Sequence, residues 1–245
     1  MRTAELTGWG RYPRRPGPRA TPRNEADVRA LAGQGGIVAR GNGRAYGDSA
    51  MGAALTLDMR GMNRMLAFDP DTGVLQAEAG VILGDVIDAF LPRGWFPYVT
   101  PGTKFVSLGG AIAADVHGKN HHCDGSFGAF VEWIDVIGPD GDVTRASRTE
   151  NAEIFEWTLG GMGLTGVILR AAIRLRRVES AWIKQETIVA PDLATAIDER
   201  RLARVAAATE MVAHEYTQGE DDIRIDVILL APGSRPRHIE NAWMP

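Results

Sequence analysis

The sequence predicts a globular protein that contains both α-helices and β-strands, and three segments support that class of fold. The apolar residues between Ile82 and Leu91 recur at three- and four-residue spacing, which is the period of an amphipathic helix. From Val167 to Arg176 apolar residues alternate with arginines, as in a strand that has one buried face. The polar turn PDGD at 139–142 separates two strand-like runs and predicts a hairpin.

Length and composition limit the classes of protein that this chain can belong to. It has 245 residues, of which 44% are hydrophobic, so it can bury a core as one large domain or as two lobes that share a cleft. The formal net charge is −4 and both signs are interspersed, whereas nucleic-acid binding needs clustered positive charge. We therefore expect no nucleic-acid partner.

The N-terminal residues are rich in arginine and proline. Five arginines are interleaved with four prolines, at positions 11, 14, 15, 19 and 23 and at positions 13, 16, 18 and 22. This composition predicts a solvated, extended arm over residues 1–23.

Cysteine content and hydropathy bear on the cellular compartment. Cys123 is the single cysteine, which rules out an intrachain disulfide and fits a reducing compartment. The N-terminus lacks the apolar region of a secretory signal, and no stretch approaches the ~18 apolar residues of a membrane span. We therefore predict a cytoplasmic protein without a transmembrane segment.

After the arm, the chain is predicted to form a helix, a strand and a glycine loop in succession. Asn24 is a suitable N-cap for a helix over residues 25–32, and a short strand from Ile37 runs into Gly41-Asn42-Gly43. A strand that is followed by a tight glycine-rich turn is suited to binding a phosphate group. The dinucleotide spacing G-x-G-x-x-G fails, however, because Tyr46 occupies the third glycine position. A classical Rossmann site is therefore disfavoured.

Further strands are predicted at 55–58 and 74–79, and a short helix in the segment that begins at Ala152. The last part of the chain changes character, with an alanine-rich helix predicted over 198–213 and a strand over 222–233. One helix and one strand are too few to form an independent domain.

Residues 101–128 form the segment with the most potential for chemistry, since they hold three of the five histidines and the only cysteine. A short buried helix entered through Ser107 is predicted here. Its many glycines leave the backbone close to something bulky, such as a phosphate or a flat ring.

Three long motifs then resemble a known family: GNGRAYGDSA at 41–50, the whole segment 101–128, and GGMGLTGVILRA at 160–171. From about Leu6 to Glu199 the chain resembles the FAD-binding (PCMH-type) domain of the vanillyl-alcohol-oxidase-like flavoproteins, and among them the decaprenylphosphoryl-ribose epimerase oxidases. The resemblance implies an α+β fold with two lobes that grip an extended FAD. It implies an FAD-binding domain over residues 6–199.

The resemblance also implies the cofactor-binding residues. The first FAD segment comprises Arg40, Gly41, Asn42, Gly43, Arg44, Ala45, Tyr46, Gly47, Asp48 and Ser49. The second comprises Gly102, Thr103, Ser107, Leu108, Gly109, Gly110, Ala114, Asp115, Val116 and His117. Ile168 would close the adenine side. Relatives with covalent FAD carry a histidine where this chain has Arg44, so non-covalent FAD is implied.

The implied activity is oxidation of a sugar hydroxyl, such as that of decaprenylphosphoryl-ribose or a sugar lactone, by hydride transfer to flavin. His117 and Lys119 are the candidate catalytic residues, because this chemistry needs a donor near the flavin and a base near the alcohol. A small-molecule or polyprenyl-phosphate sugar substrate, a short-chain reductase partner and peripheral contact with a membrane are implied too. Tyr46 is either a lid over the flavin ring or a core aromatic.

The resemblance ends near Arg200, so we expect the substrate domain to be missing or truncated. Residues 200–245 resemble instead the C-terminal end of a small bacterial restriction-endonuclease-like family. Two alternatives remain open: a catalytically incomplete flavin-binding fragment, and a metal-binding or nuclease-related protein. The metal alternative comes from His117, His121, His122 and Cys123, but Gly118 and Asn120 argue against one helix that would align them. We therefore predict no metal site.

Overall fold

The computed structural model describes residues 2–33, 35–182, 227–229 and 237–239. The chain divides into two compact units, Met1–Trp182 and Ile183–Pro245. In the first unit the described strands form two sheets, which are flanked by short helices. The α+β prediction is thereby confirmed.

The first sheet has the strand order β1-β2-β4-β3. Its strands are β1 (Arg2–Thr7), β2 (Arg14–Ala20), β3 (Ile37–Arg40) and β4 (Leu55–Asp58). β1 and β2 are antiparallel, whereas β4 is parallel to both of its neighbours. Helix α1 (Glu25–Ala32) connects β2 to β3, and the Asn24 side chain accepts a hydrogen bond from the Asp27 amide, as predicted for its N-cap.

The prediction of a solvated arm over residues 1–23 is wrong for most of that segment. Arg2–Thr7 and Arg14–Ala20 pair with each other, and the end of β2 joins β4 through Arg19 and Ala20. A long-range charge pair joins the end of β2 to β4, because the guanidinium of Arg19 bonds the carboxylate of Asp58, which is only 1% exposed. An arginine that neutralises a buried carboxylate cannot stay in solvent.

The second sheet has the order β5-β6-β10-β8-β9, with β7 also paired to β10. Its strands are β5 (Met65–Asp69), β6 (Val74–Glu78), β7 (Trp95–Pro97), β8 (Val131–Ile137), β9 (Val143–Ser147) and β10 (Val167–Arg177). Every pairing in it is antiparallel. The predicted hairpin at 139–142 joins β8 to β9. β5 was not predicted.

The central strand β10 is more buried than its alternating pattern indicated. Arg174 and Arg176 are exposed as predicted, but Ile168 and Ala172, on the same alternation, are buried. The sequence pattern shows one apolar face, whereas the first half of the strand is covered on both faces by the surrounding core.

Four further α-helices are described in the first unit: α2 (Leu83–Phe90), α3 (Leu108–Ala113), α4 (His121–Asp124) and α5 (Ala152–Thr158). α2 confirms the helical period between Ile82 and Leu91. α3 is capped by Ser107, whose hydroxyl accepts from the amide of Gly110, as expected. Leu108 and Ile112 of α3 are buried in the core of the second sheet, so the other side of this helix is left to face the site.

In the second unit, β11 (Val227–Leu229) pairs antiparallel with β12 (Arg237–Ile239). The predicted strand over 222–233 is thus present at 227–229. The predicted helix over 198–213 and the predicted boundary at 199 lie outside the described residues. Among the helices that the structure describes, none has the length and apolar character needed to cross a bilayer.

Candidate functional site

A pocket of about 230 Å³ lies between the glycine loop after β3 and the start of α3. Both predicted FAD segments contribute to it, with further residues from the 160–171 motif. Its walls comprise Ala39–Tyr46, Ser49, Ala50, Met59, Ala79, Val106, Ser107, Gly109, Gly110, Ala113, Ala114, Val116, Met162, Gly163, Gly166 and Ile168. The lining is mostly backbone and small apolar side chains, which suits a flat, extended ligand.

The two main walls touch each other at positions where only glycine fits. A Cβ atom on Gly41 would lie 1.9 Å from the hydroxyl oxygen of Ser107, and a Cβ atom on Gly109 would lie 2.8 Å from the Cβ atom of Ala79. Gly43 has φ +68°, in the left-handed region that favours glycine. Gly41 and Gly109 therefore let their backbones approach the side chains of Ser107 and Ala79 closely, and the narrow pocket follows from these contacts.

Arg40 fastens the glycine loop to the end of β1. Its Nη2 donates to the carbonyl of Thr7 at 2.7 Å and its Nη1 donates to the carbonyl of Ala50 at 3.4 Å. Burial lowers the pKa of the Arg40 guanidinium, and the neighbouring charge of Asp58 partly offsets that effect. One cation in the wall of the pocket thus holds both Ala50, at the far end of the loop, and Thr7, at the end of β1.

A buried carboxylate in the first sheet is linked by hydrogen bonds to the segment that precedes α3. Asp58 bonds Arg19, and it accepts from Arg60 Nε at 2.9 Å and Nη2 at 2.8 Å. Burial alone would raise the pKa of Asp58, but the hydrogen bonds from Arg60 and Arg19 outweigh it, and the net pKa lies below its ordinary value. Arg60 Nη1 then reaches Asn42 Oδ1 at 3.5 Å, and Asn42 Nδ2 donates to the carbonyl of Phe105 at 2.9 Å.

Arg44 is part of the pocket wall, and its guanidinium lies over two aromatic rings. Its guanidinium carbon is 4.7 Å from the ring centroid of Trp9 and 5.6 Å from that of Phe105. Nη1 donates to the carbonyl of Asn42 at 3.0 Å, while Nε is buried and has no hydrogen-bond partner among the described residues. An unpaired donor in a pocket wall is a feature that a ligand with acceptor atoms would relieve.

Most of the residues implied by the resemblance line this pocket. They are Arg40, Gly41, Asn42, Gly43, Arg44, Ala45, Tyr46, Ser49, Ser107, Gly109, Gly110, Ala114, Val116 and Ile168. Tyr46 is 77% exposed, so its alternative assignment as a core aromatic is wrong. Nine lining residues were missed. Six fall within the three motifs and could have been inferred from them: Ala50, Val106, Ala113, Met162, Gly163 and Gly166; the others are Ala39, Met59 and Ala79.

Eight implied residues lie outside the lining of the pocket: Gly47, Asp48, Gly102, Thr103, Leu108, Asp115, His117 and Lys119. Leu108 is core, since it is 1% exposed. The Asp115 carboxylate accepts from the amide of Gly128 at 2.7 Å, and the Thr103 hydroxyl accepts from the amide of Phe105 at 3.2 Å. The side chains of Leu108, Asp115 and Thr103 thus contact the protein around the pocket. Their role as direct ligands of FAD remains a prediction.

His117 and Lys119 are both exposed and follow α3 by a few residues. His117 forms an isolated antiparallel bridge with Ser126, and its ring centroid is 5.2 Å from that of His121. Among the described residues, no group of three His, Cys, Asp or Glu side chains is arranged to hold a metal ion. The histidine-rich segment therefore gives the metal alternative no support in this part of the chain.

Comparison with known proteins identifies two families in the chain. Residues 18–147, just over half of it, match the family described as FAD binding domain. The decaprenylphosphoryl-β-D-ribose oxidase of Mycolicibacterium smegmatis is 40% identical over 205 residues, which is 80% of this chain and 44% of the relative. The chain thus spans less than half of the length of that oxidase.

The C-terminal region matches different relatives. A UPF0102 protein of Sphingopyxis alaskensis is 43% identical over 109 residues, which is 41% of this chain and 93% of the relative. A UPF0102 protein of Erythrobacter litoralis is 60% identical over 68 residues, which is 28% of this chain and 55% of the relative. The chain therefore belongs to the FAD binding domain family through residues 18–147, and in its C-terminal region it belongs to the UPF0102 family.

Proposed function

We propose that the first unit binds FAD non-covalently in the pocket between the glycine loop and α3, and that it serves an oxidoreductase. The observation that carries this proposal is the close contact of the two glycine segments, Gly41 against Ser107, around one pocket in a member of the FAD binding domain family. The segments are far apart in sequence, and the fold brings them together as two walls.

The residues of the pocket suit a dinucleotide in four respects. Glycines expose the backbone for close approach, and the small apolar lining accepts a flat ring. Three arginines, at positions 19, 40 and 60, surround the single carboxylate of Asp58, which leaves positive charge beside the glycine loop. That surplus favours a diphosphate. The unpaired Nε of Arg44 offers a further donor.

FAD, when bound, supplies a ring system that accepts a hydride from a carbon atom bearing a hydroxyl group. For such a reaction His117 and Lys119 are the proposed proton-handling residues of this chain, with the base held near the substrate hydroxyl and the donor near the flavin. Both are solvent-exposed and a few residues beyond the pocket-lining Ala114 and Val116. Their exposure leaves both side chains accessible to a substrate.

A sugar hydroxyl is the proposed site of oxidation, by similarity to the ribose oxidase of M. smegmatis. A polyprenyl-phosphate sugar would bring the protein to the surface of a membrane, and a sugar lactone would not. A short-chain reductase partner and a cytoplasmic location belong to the same proposal. The 44% coverage of that oxidase favours a second candidate function, a domain that binds FAD without turnover of its own.

Absorbance and acid treatment test this function. The purified chain, reconstituted with FAD if necessary, is expected to show bound flavin absorbance in the visible range, and acid precipitation is expected to release all of it into the supernatant. Flavin that stays with the precipitate would contradict the non-covalent assignment at Arg44. A protein that cannot be loaded with FAD would contradict the function as a whole. Reduction of the bound flavin by a sugar lactone would favour the oxidoreductase over a domain that binds FAD without turnover.

A further inference from the structure

Three segments of the chain meet at the side chain of Arg44. Trp9 follows β1, Arg44 belongs to the glycine loop and Phe105 precedes α3. The guanidinium of Arg44 lies over both rings, at 4.7 Å from Trp9 and 5.6 Å from Phe105, which is within the range of cation–π contacts. Arg44 lines the pocket, whereas neither ring is among the described residues that line it.

Both rings are anchored to the glycine loop by the backbone. The amide of Trp9 donates to the carbonyl of Ala45 at 2.8 Å, and Gly8 packs so tightly on the carbonyl of Gly47 that a Cβ would lie 2.3 Å from it. The carbonyl of Phe105 accepts from Asn42 Nδ2 at 2.9 Å. The backbone that carries each ring is therefore fixed to the loop that forms the pocket.

The contacts of Arg44 contribute little to the stability of the fold. Trp9 and Phe105 are each 49% exposed, so their burial contributes little to the core. Arg44 leaves Nε buried and unpaired, although a long arginine side chain could turn to water and hydrate all of its donors. The arrangement holds a cation in place beside the ligand space.

We propose that Trp9 and Phe105 are positioning residues for the cofactor, which hold the guanidinium of Arg44 in the pocket wall and thereby slow the release of non-covalently bound FAD. This proposal rests on the proposed binding of FAD in the pocket. It assigns a role to two aromatic residues outside the glycine loop, and it explains how one arginine is kept in a fixed geometry. Each cation–π contact is expected to contribute a factor on the order of 2- to 30-fold in an equilibrium constant.

The test measures FAD affinity by fluorescence titration and FAD release by the rise of flavin fluorescence after dilution, on the full chain. The variants are Arg44→Met, which keeps the apolar stem, Phe105→Leu, which removes the ring, and the double variant. Phe105→Tyr retains the ring. Arg177→Met is the matched control, because Arg177 also lies over a tryptophan ring, 4.9 Å from that of Trp95, and is not part of the pocket lining.

Arg44→Met and Phe105→Leu are each expected to speed FAD release by about 5- to 30-fold, while Phe105→Tyr and Arg177→Met stay within about twofold of the wild type. In the Arg44→Met background the Phe105→Leu change is expected to add less than about twofold, since Phe105 acts through Arg44. Fully additive effects, or release rates unchanged in both single variants, would overturn the proposal.

The thermal unfolding midpoint of each flavin-free variant separates positioning from a structural role. We expect Arg44→Met and Arg177→Met to lower the unfolding midpoint by the same small amount. A loss of stability in Arg44→Met that accounts for its faster release would overturn the proposal. A wild-type chain that takes up no FAD would refute the proposed function itself. The titration of the wild type alone distinguishes that outcome from failure of the positioning role.

Discussion

The hydroxyl of Ser107 packs directly against the Cα atom of Gly41. A Cβ atom at Gly41 would lie 1.9 Å from Ser107 Oγ and 2.9 Å from Ser107 Cβ. The same hydroxyl caps α3 by accepting from the amide of Gly110 at 3.3 Å. One contact thus couples the width of the pocket to the start of the helix that forms its second wall.

Gly41→Ala is expected to weaken FAD binding roughly 5- to 100-fold, because the new methyl group forces Ser107 away and overpacking of this kind costs about 1–3 kcal/mol. Titration with FAD measures the effect. Ser107→Gly removes the obstructing atoms, so the double variant is expected to bind FAD better than Gly41→Ala alone. The single variant Ser107→Gly controls for loss of the cap. Wild-type affinity in Gly41→Ala would show that the walls need not touch.

Asp58→Asn is expected to destabilise the fold by about 3–5 kcal/mol at neutral pH, because it leaves Arg19 and Arg60 around a neutral group in a buried position. Urea unfolding followed by circular dichroism measures the change. Arg174→Met provides the control, because it removes an arginine from a solvent-exposed pair with Glu132 and leaves the Asp58 cluster intact.

The stability difference between wild type and Asp58→Asn is expected to depend on pH. The pKa of Asp58 is lower in the folded protein than its ordinary value, so its ionisation stabilises the fold fully above the unfolded pKa of about 3.9. That contribution is lost as the pH falls below about 4 toward the folded pKa. Unfolding midpoints from pH 7 to pH 3 should therefore converge for the two proteins, and a constant gap would contradict the assignment.

Variants of Asp115 test whether this residue stabilises the pocket wall or contacts the cofactor. Its carboxylate bonds the amide of Gly128 at 2.7 Å, and its φ of +38° lies in the left-handed region that Asn tolerates and Ala does not. Asp115→Ala is expected to cost about 1–3 kcal/mol in unfolding free energy. Asp115→Asn should retain both stability and FAD affinity. A large loss of FAD affinity in Asp115→Asn at unchanged stability would instead favour direct contact with the cofactor.

His117 and Lys119 are expected to affect chemistry more than FAD binding. Because neither lines the pocket, His117→Asn and Lys119→Met should leave FAD affinity within about twofold of the wild type. If the chain oxidises a sugar lactone, the rate of flavin reduction should fall by about 100-fold or more in at least one variant. Anaerobic stopped-flow absorbance gives that rate, and an unchanged rate in both variants would exclude them as proton-handling groups.

The locally determined elements of the fold could be predicted from the sequence. Asn24 and Ser107 cap α1 and α3 because each needs only its own helix for a partner. The period of α2 and the turn between β8 and β9 are likewise set within a few residues. The three motifs also predicted most of the pocket lining, since the glycine segments carry the residue types that a close approach requires.

Long-range contacts decided what the sequence pattern left open. Arginine and proline alone indicated an arm in solvent, but the buried carboxylate of Asp58 draws Arg19 into the first sheet. Tyr46 could not be assigned to core or surface until the loop was in place, and Trp9 and Phe105 had no local feature that linked them to Arg44. The sequence by itself determined the helix caps, the strand periods and the family. The tertiary structure alone decided which charges are buried together and which distant segments touch, because these depend on the distances between segments rather than on neighbours along the chain.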